Sequence, residues 1–87
     1  MVIHEVHDIK RRNPLIAYRR EYHARASISY HNQPPGSYAI EFSLELSPLG
    51  TSTIRVKLLD NLDYPALPVL GALKEYIHQL DKAGSLP

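Results

Sequence analysis

The feature that most constrains this chain is the run Tyr38 to Ser47. In it Tyr38, Ile40, Phe42, Leu44 and Leu46 alternate with Ala39, Glu41, Ser43, Glu45 and Ser47. A period of two puts one set on each face of a pleated strand, one toward a core and one toward water. Pro48-Leu49-Gly50 follows, and then Ile54, Val56 and Leu58 alternate with Thr53, Arg55 and Lys57. Proline at the first turn position and glycine at the third suit a three-residue hairpin, a type I turn followed by a left-handed residue. The predicted register pairs Leu44 with Ile54 and Phe42 with Val56, so both apolar sets share one face. On the other face Glu41 meets Lys57, and Glu45 lies diagonal to Arg55.

Upstream, His31-Asn32-Gln33-Pro34-Pro35-Gly36-Ser37 is a turn-rich loop that a helix does not cross. Before it, Ile16, Tyr18, Tyr22, Ala24, Ala26, Ile28 and Tyr30 share one parity, with Arg20 the single polar member. Arg19, Glu21, His23, Arg25, Ser27, Ser29 and His31 take the other. This alternation predicts a long, bent strand from about 16 to 31. The alternative is a helix over 14–25, for which Asn13 is a good N-cap and Pro14 suits the first position. Val2 to Ile9 reads as a short edge strand, joined to the next by Lys10 to Pro14.

The last element is a helix. Tyr64-Pro65-Ala66-Leu67-Pro68 leads in, since proline is tolerated in a first turn. Val69, Leu70, Leu73, Ile77 and Leu80 form an apolar stripe with Tyr76 on its margin, while Lys74, Glu75, His78, Gln79, Asp81 and Lys82 face water. Gly71 inside the helix predicts close approach to the sheet. Gly84 ends the helix, and Leu86 is placed to fold back onto it.

The elements sum to a single α+β domain over residues 1–87: an antiparallel four-stranded meander with one C-terminal helix packed on one face. The alternative order is helix–three strands–helix. Folding a chain of this size buries roughly 64% of the extended surface. Without cysteine there is no disulfide, thiolate zinc site or cysteine nucleophile. No apolar run approaches the length of a membrane span, so no membrane contact is expected. Met1-Val2-Ile3-His4-Glu5 lacks the basic-then-apolar layout of a secretory signal, and a soluble cytoplasmic protein is the expectation.

The lengths carry a further expectation. A helix of about 16 residues is roughly 24 Å long, whereas strands of ten to fifteen residues run roughly 33–50 Å. One helix leaves part of such a sheet uncovered, and a second copy of the chain is the expected cover. A homodimer follows. If residues 14–25 are helical, that helix supplies the cover instead.

The formal net charge of +1 conceals an asymmetry: six of ten Lys and Arg lie between residues 10 and 25. The candidate binding residues are Lys10, Arg11, Arg12, Tyr18, Arg19, Arg20, Tyr22, His23 and Arg25, where arginines interleave with tyrosines as base stacking on aromatic rings requires. The opposing observation is an isoelectric point of about 8.1, low for a dedicated nucleic-acid binder. On the wet face, His23, Arg25, Ser27, Ser29 and His31 lie beside Glu41, Ser43, Glu45, Arg55 and Lys57. That set suits a polar platform for an anion, or a proton relay with His23 opposite Glu45. It equally suits a solvated face laced with cross-strand ion pairs. His4-Glu5-Val6-His7-Asp8 is dense in metal-ligand types, yet on a regular strand His4 and His7 point to opposite faces. No phosphate-binding glycine loop, nucleophile elbow or paired-acid motif is present. No catalytic residue, metal or cofactor is assigned.

Four strands followed by a helix resemble, in element order, the repeat of PUR-type single-strand nucleic-acid binders. That resemblance implies dimers. The alternative order resembles a double-stranded-RNA-binding domain. Such domains open their last helix with Lys-Lys-x-x-Lys, where this chain has Tyr64-Pro65-Ala66-Leu67-Pro68. The expected function is therefore a small non-catalytic binding or assembly module, self-associating through its sheet, with a protein or nucleic acid as further partner. The alternative is a nucleic-acid-binding domain using Lys10 to Arg25.

Overall fold

The computed structural model describes residues 1–12, 18–30 and 32–87. Four strands, β1 (Val2–Arg11), β2 (Arg19–Ser29), β3 (Gly36–Leu46) and β4 (Ser52–Leu58), precede one helix, α1 (Ala66–Lys82). The strands form one antiparallel sheet in the order β1-β2-β3-β4, and α1 packs on one face. Residues 19–25 are strand, so the helical alternative fails there, and with it the helix–three strands–helix order. Its cap Asn13 and first residue Pro14, like the strand positions 16, 17 and 31, lie outside the described residues.

The β3–β4 hairpin has the register its pattern dictates: Leu44 pairs with Ile54, Phe42 with Val56 and Glu41 with Lys57. Gly50 donates its amide to the Ser47 carbonyl at 2.9 Å. Its φ of +86° is the left-handed turn residue that glycine adopts without a Cβ clash. Ser47 locks the turn by accepting from the amides of Leu49 and Thr51 at its hydroxyl.

The β2–β3 register departs from expectation. Asn32 at φ +57° and a bond from the Gln33 amide to the Tyr30 carbonyl make a turn earlier than Pro34-Pro35-Gly36. Gly36 and Ser37 consequently belong to β3, and His23 pairs with Glu41 rather than Glu45.

The core fills from one parity. Tyr22, Ala24, Ala26 and Ile28 of β2, and Ile40, Phe42 and Leu44 of β3, are buried against Val69, Leu73 and Ile77 of α1. The helix, about 25 Å long, is shorter than an 11-residue strand. Yet no core residue in the sheet exceeds 6% exposure. Leu62 and Tyr64 before the helix and Leu86 after it pack against the same core and complete the cover. The sheet thus needs no second copy to close its apolar face, and that argument for a dimer does not hold.

Gly71 plays no packing role: it is exposed, and a Cβ there meets nothing within 4 Å. Close approach is allowed instead by the small side chains of Ala24 and Ala26 in the middle of the sheet. At the other end of α1, the Gly84 amide bonds to the Asp81 carbonyl and the Ser85 amide to the Leu80 carbonyl. With Gly84 at φ +69° this is a Schellman ending, and it turns Leu86 back onto the core.

Candidate binding site

The face of the sheet opposite α1 is open. Its polar side chains come from alternate residues of four strands, and ion pairs knit them together. Arg12 bonds through Nη1 to Glu41 Oε1 at 2.5 Å, and His23 Nε2 lies 3.5 Å from the same oxygen. Arg19 reaches Glu21 at 3.0 Å and Glu45 at 2.8 Å. These bonds hold the Arg19 guanidinium above its ordinary pKa, the bond to Glu21 contributing most. Arg25 donates to the hydroxyl and the carbonyl of Ser37.

A cleft of about 350 Å³ opens on this face, lined by Arg12, Arg19, Glu21, Glu41, Ser43, Arg55 and Lys57. It lies along the cross-strand row Tyr22–Phe42–Val56, whose side chains belong to the opposite face. Ser43, only 7% exposed, sits beneath the longer chains. Both lining carboxylates are engaged by arginines, whereas Arg55 and Lys57 enter no ion pair among the described residues.

The nine residues proposed from the sequence do not form one surface. Arg12, Arg19, His23 and Arg25 reach the open face. Tyr22 is 1% exposed, stacks on Phe42 with ring centroids 4.9 Å apart, and donates its hydroxyl to the Pro87 carbonyl at 2.9 Å. It is a core residue, closed to base stacking. Arg20 lies on the helix side, bonded through Nη2 to Asp81 Oδ1 at 2.8 Å, and this bond is the main reason its pKa is raised. Arg11 stands opposite Tyr22 with its Nε buried and unbonded. Lys10 and Tyr18 are exposed. The cations of the basic segment are thus mostly spent on internal partners. The expected His23–Glu45 relay is replaced by a His23–Glu41 contact in which Arg12 holds the same carboxylate.

The histidines of β1 also depart from expectation. Register shifts between Ile3 and Glu5 and between His7 and Lys10 interrupt the alternation, with Asp8 at φ +52° in the second. His4 Nε2 then meets Ser29 Oγ at 2.7 Å, and His7 Nε2 lies 3.4 Å from Ser27 Oγ. Both partners belong to the open-face parity of β2, so the two histidines share a face. Among the described residues no three His, Asp or Glu side chains gather as a metal site.

A second concavity lies on the β1 side of the molecule. Met1, Val2 and Ile3 face Ala72, Tyr76 and Leu80 of α1 across a mainly apolar groove of about 740 Å³, with Glu75 and Gln79 its polar members. Sequence reasoning did not single out this groove, nor the Arg55–Lys57–Ser43 cluster as a unit. The alternation in β3 and β4 signalled the cluster. The groove has no local signal, because it joins residues from opposite ends of the chain.

A family model matches residues 1–82. The chain belongs to the BB_0187 family. The matched span runs through all four strands to the last residue of α1, so the family's shared unit is the whole meander with its helix. No curated protein and no solved structure matches the chain. Among the described residues no helix is long and apolar enough to cross a membrane.

Proposed function

We propose that this chain is a small non-catalytic binding or assembly module that pairs with a second copy at the β1 side of its sheet. The observation that carries the proposal is the groove between Met1–Ile3 and α1. It combines projecting apolar chains, with Val2 52% and Met1 38% exposed, and an apolar recess walled by Ala72, Tyr76 and Leu80. A two-fold dimer needs a patch that is complementary to itself, knob and hole together. The two shifts in β1 make its backbone an irregular template for strand pairing, so the contact is one of side chains seated in the partner's groove. The mass by light scattering should be about twice 9.9 kDa at micromolar concentration. Val2→Lys, a change at an exposed position, should return the monomer mass with an unchanged circular dichroism spectrum. A wild-type monomer up to millimolar concentration would sink the proposal.

A second reading keeps Lys10 to Arg25 as a nucleic-acid contact. It is supported by Tyr18, 60% exposed, in the same segment as the exposed Lys10 and Arg12. The internal pairing of Arg12, Arg19, Arg20 and Arg25 weighs against it. Anisotropy with random single-stranded DNA, RNA and duplex probes decides between the two. Nucleic-acid binding should weaken steeply with salt and be lost on neutralising Lys10 and Arg12.

A further inference from the structure

The sheet has two edges, and they differ. β1 is interrupted twice. β4 is regular over all seven residues. The direction of its backbone groups follows from its ends. The Ser47 amide bonds to the Thr51 carbonyl, and the Leu59 amide to the Ala39 carbonyl. Bonded pairs in an antiparallel ladder recur every second residue. Thr53, Arg55 and Lys57 therefore spend their backbone groups on β3, and Ile54, Val56 and Leu58 turn theirs outward. Among the described residues no backbone bond beyond the β3 ladder reaches this edge.

The side chains say what fits there. On the helix side Ile54, Val56 and Leu58 are only partly buried. On the open side Arg55 and Lys57 carry two positive charges beside the cleft over Ser43. A second β4 would bring these cations against their own copies, and like charges facing across strands are destabilising. An incoming strand that alternates acidic and apolar residues meets both faces: its carboxylates reach Arg55 and Lys57, and its apolar chains cover Ile54, Val56 and Leu58.

We propose that β4 is a docking edge for an extended acidic–apolar peptide segment of another protein, which adds a fifth strand to the sheet. The backbone of Ile54, Val56 and Leu58 supplies the pairing, and Arg55 with Lys57 selects the charge. This goes beyond the dimer proposal and uses the opposite edge, so the two can fail separately.

A fluorescein-labelled nonapeptide alternating Val and Glu tests it by anisotropy, with peptides N-methylated on one backbone parity or the other. The expected result is saturable binding that one parity of methylation weakens at least tenfold and the other spares. Amide shifts should centre on Ile54, Val56 and Leu58. Arg55→Glu with Lys57→Glu should lose this peptide and take up one alternating Val and Lys. The peptide-side comparison needs no variant to fold. No saturation by millimolar peptide overturns the proposal. So does binding indifferent to methylation parity, or equal binding of polyglutamate or an oligonucleotide, because each reduces the edge to a plain anion attractor.

Discussion

The contact that ties the sheet to the end of α1 is the bridge from Arg20 to Asp81, and a double-mutant cycle measures its worth. The charged atoms lie 2.8 Å apart, and the side chains are 32% and 28% exposed. Two unit charges about 4 Å apart attract by about 1 kcal/mol in bulk water and about 4 kcal/mol at an effective dielectric near 20. Partial exposure moves the pair toward the first value, and ordering two flexible side chains costs some of the remainder. A coupling of about 1 kcal/mol is expected. The single variants should differ. Arg20→Met leaves a bare carboxylate in the last turn of α1, where the partial negative charge of the helix end adds about 0.3–1 kcal/mol of repulsion. Its cost should be about 1.5 kcal/mol. Asp81→Asn removes that repulsion together with the bridge and should cost about 0.5 kcal/mol on the same reasoning. Urea unfolding at pH 7 reads all four species, and each kcal/mol corresponds to about 4–8 °C in Tm for a domain of this size. A coupling within about 0.3 kcal/mol of zero would refute the bridge as a tie, since additive changes mean no interaction. Asp81→Asn costing more than Arg20→Met would refute the helix-end argument.

Three further outcomes are expected. Gly71→Ala should stabilise the protein by about 0.8–1 kcal/mol in the same unfolding assay, because the site is exposed within α1 and the added methyl meets nothing. Asp8→Val should destabilise by about 1–2 kcal/mol, since a β-branched residue resists the left-handed φ of +52° that aspartate tolerates, while Asp8→Gly should be close to neutral. The Tyr38 phenol, bonded to Tyr30 and partly buried, is held above the ordinary phenol pKa of 10.0. Its contribution to stability is complete below pH 10 and declines as pH climbs through the folded-state value, because the unfolded chain ionises first. A ring-shift titration of Tyr38 by NMR should show a high midpoint in the wild type and one nearer 10.0 in Tyr30→Phe.

Much of this fold is legible one residue at a time. Alternation between apolar and polar residues is a local record of which face meets water, so Tyr38 to Leu58 shows its strands and their hairpin register directly. The stripe Val69, Leu73, Ile77 does the same for α1, and its three members are its buried residues. The open face was legible too, since Glu41, Ser43, Arg55 and Lys57 fall on one parity. Which of its charges are spent was not, because a carboxylate's partner depends on strand register and on bonds from distant residues.

Tertiary structure decided the rest, and the reasons are specific. The β2–β3 register turned on whether the chain reverses at Asn32 or at Pro34-Pro35-Gly36, two turn signals that composition alone does not rank. The shifts in β1 brought His4 and His7 to one face, although a strict period of two separates them. Arg20 looked like a flaw in an apolar parity until Asp81, 61 residues away, was placed beside it. Composition and periodicity determined which segments are strand or helix and which side of each is buried, because burial acts on each residue where it stands. The pairing of Arg20, the cover from Leu62, Tyr64 and Leu86, and the free edge of β4 depended on contacts between distant segments, whose partners are set only when the whole chain closes on one core.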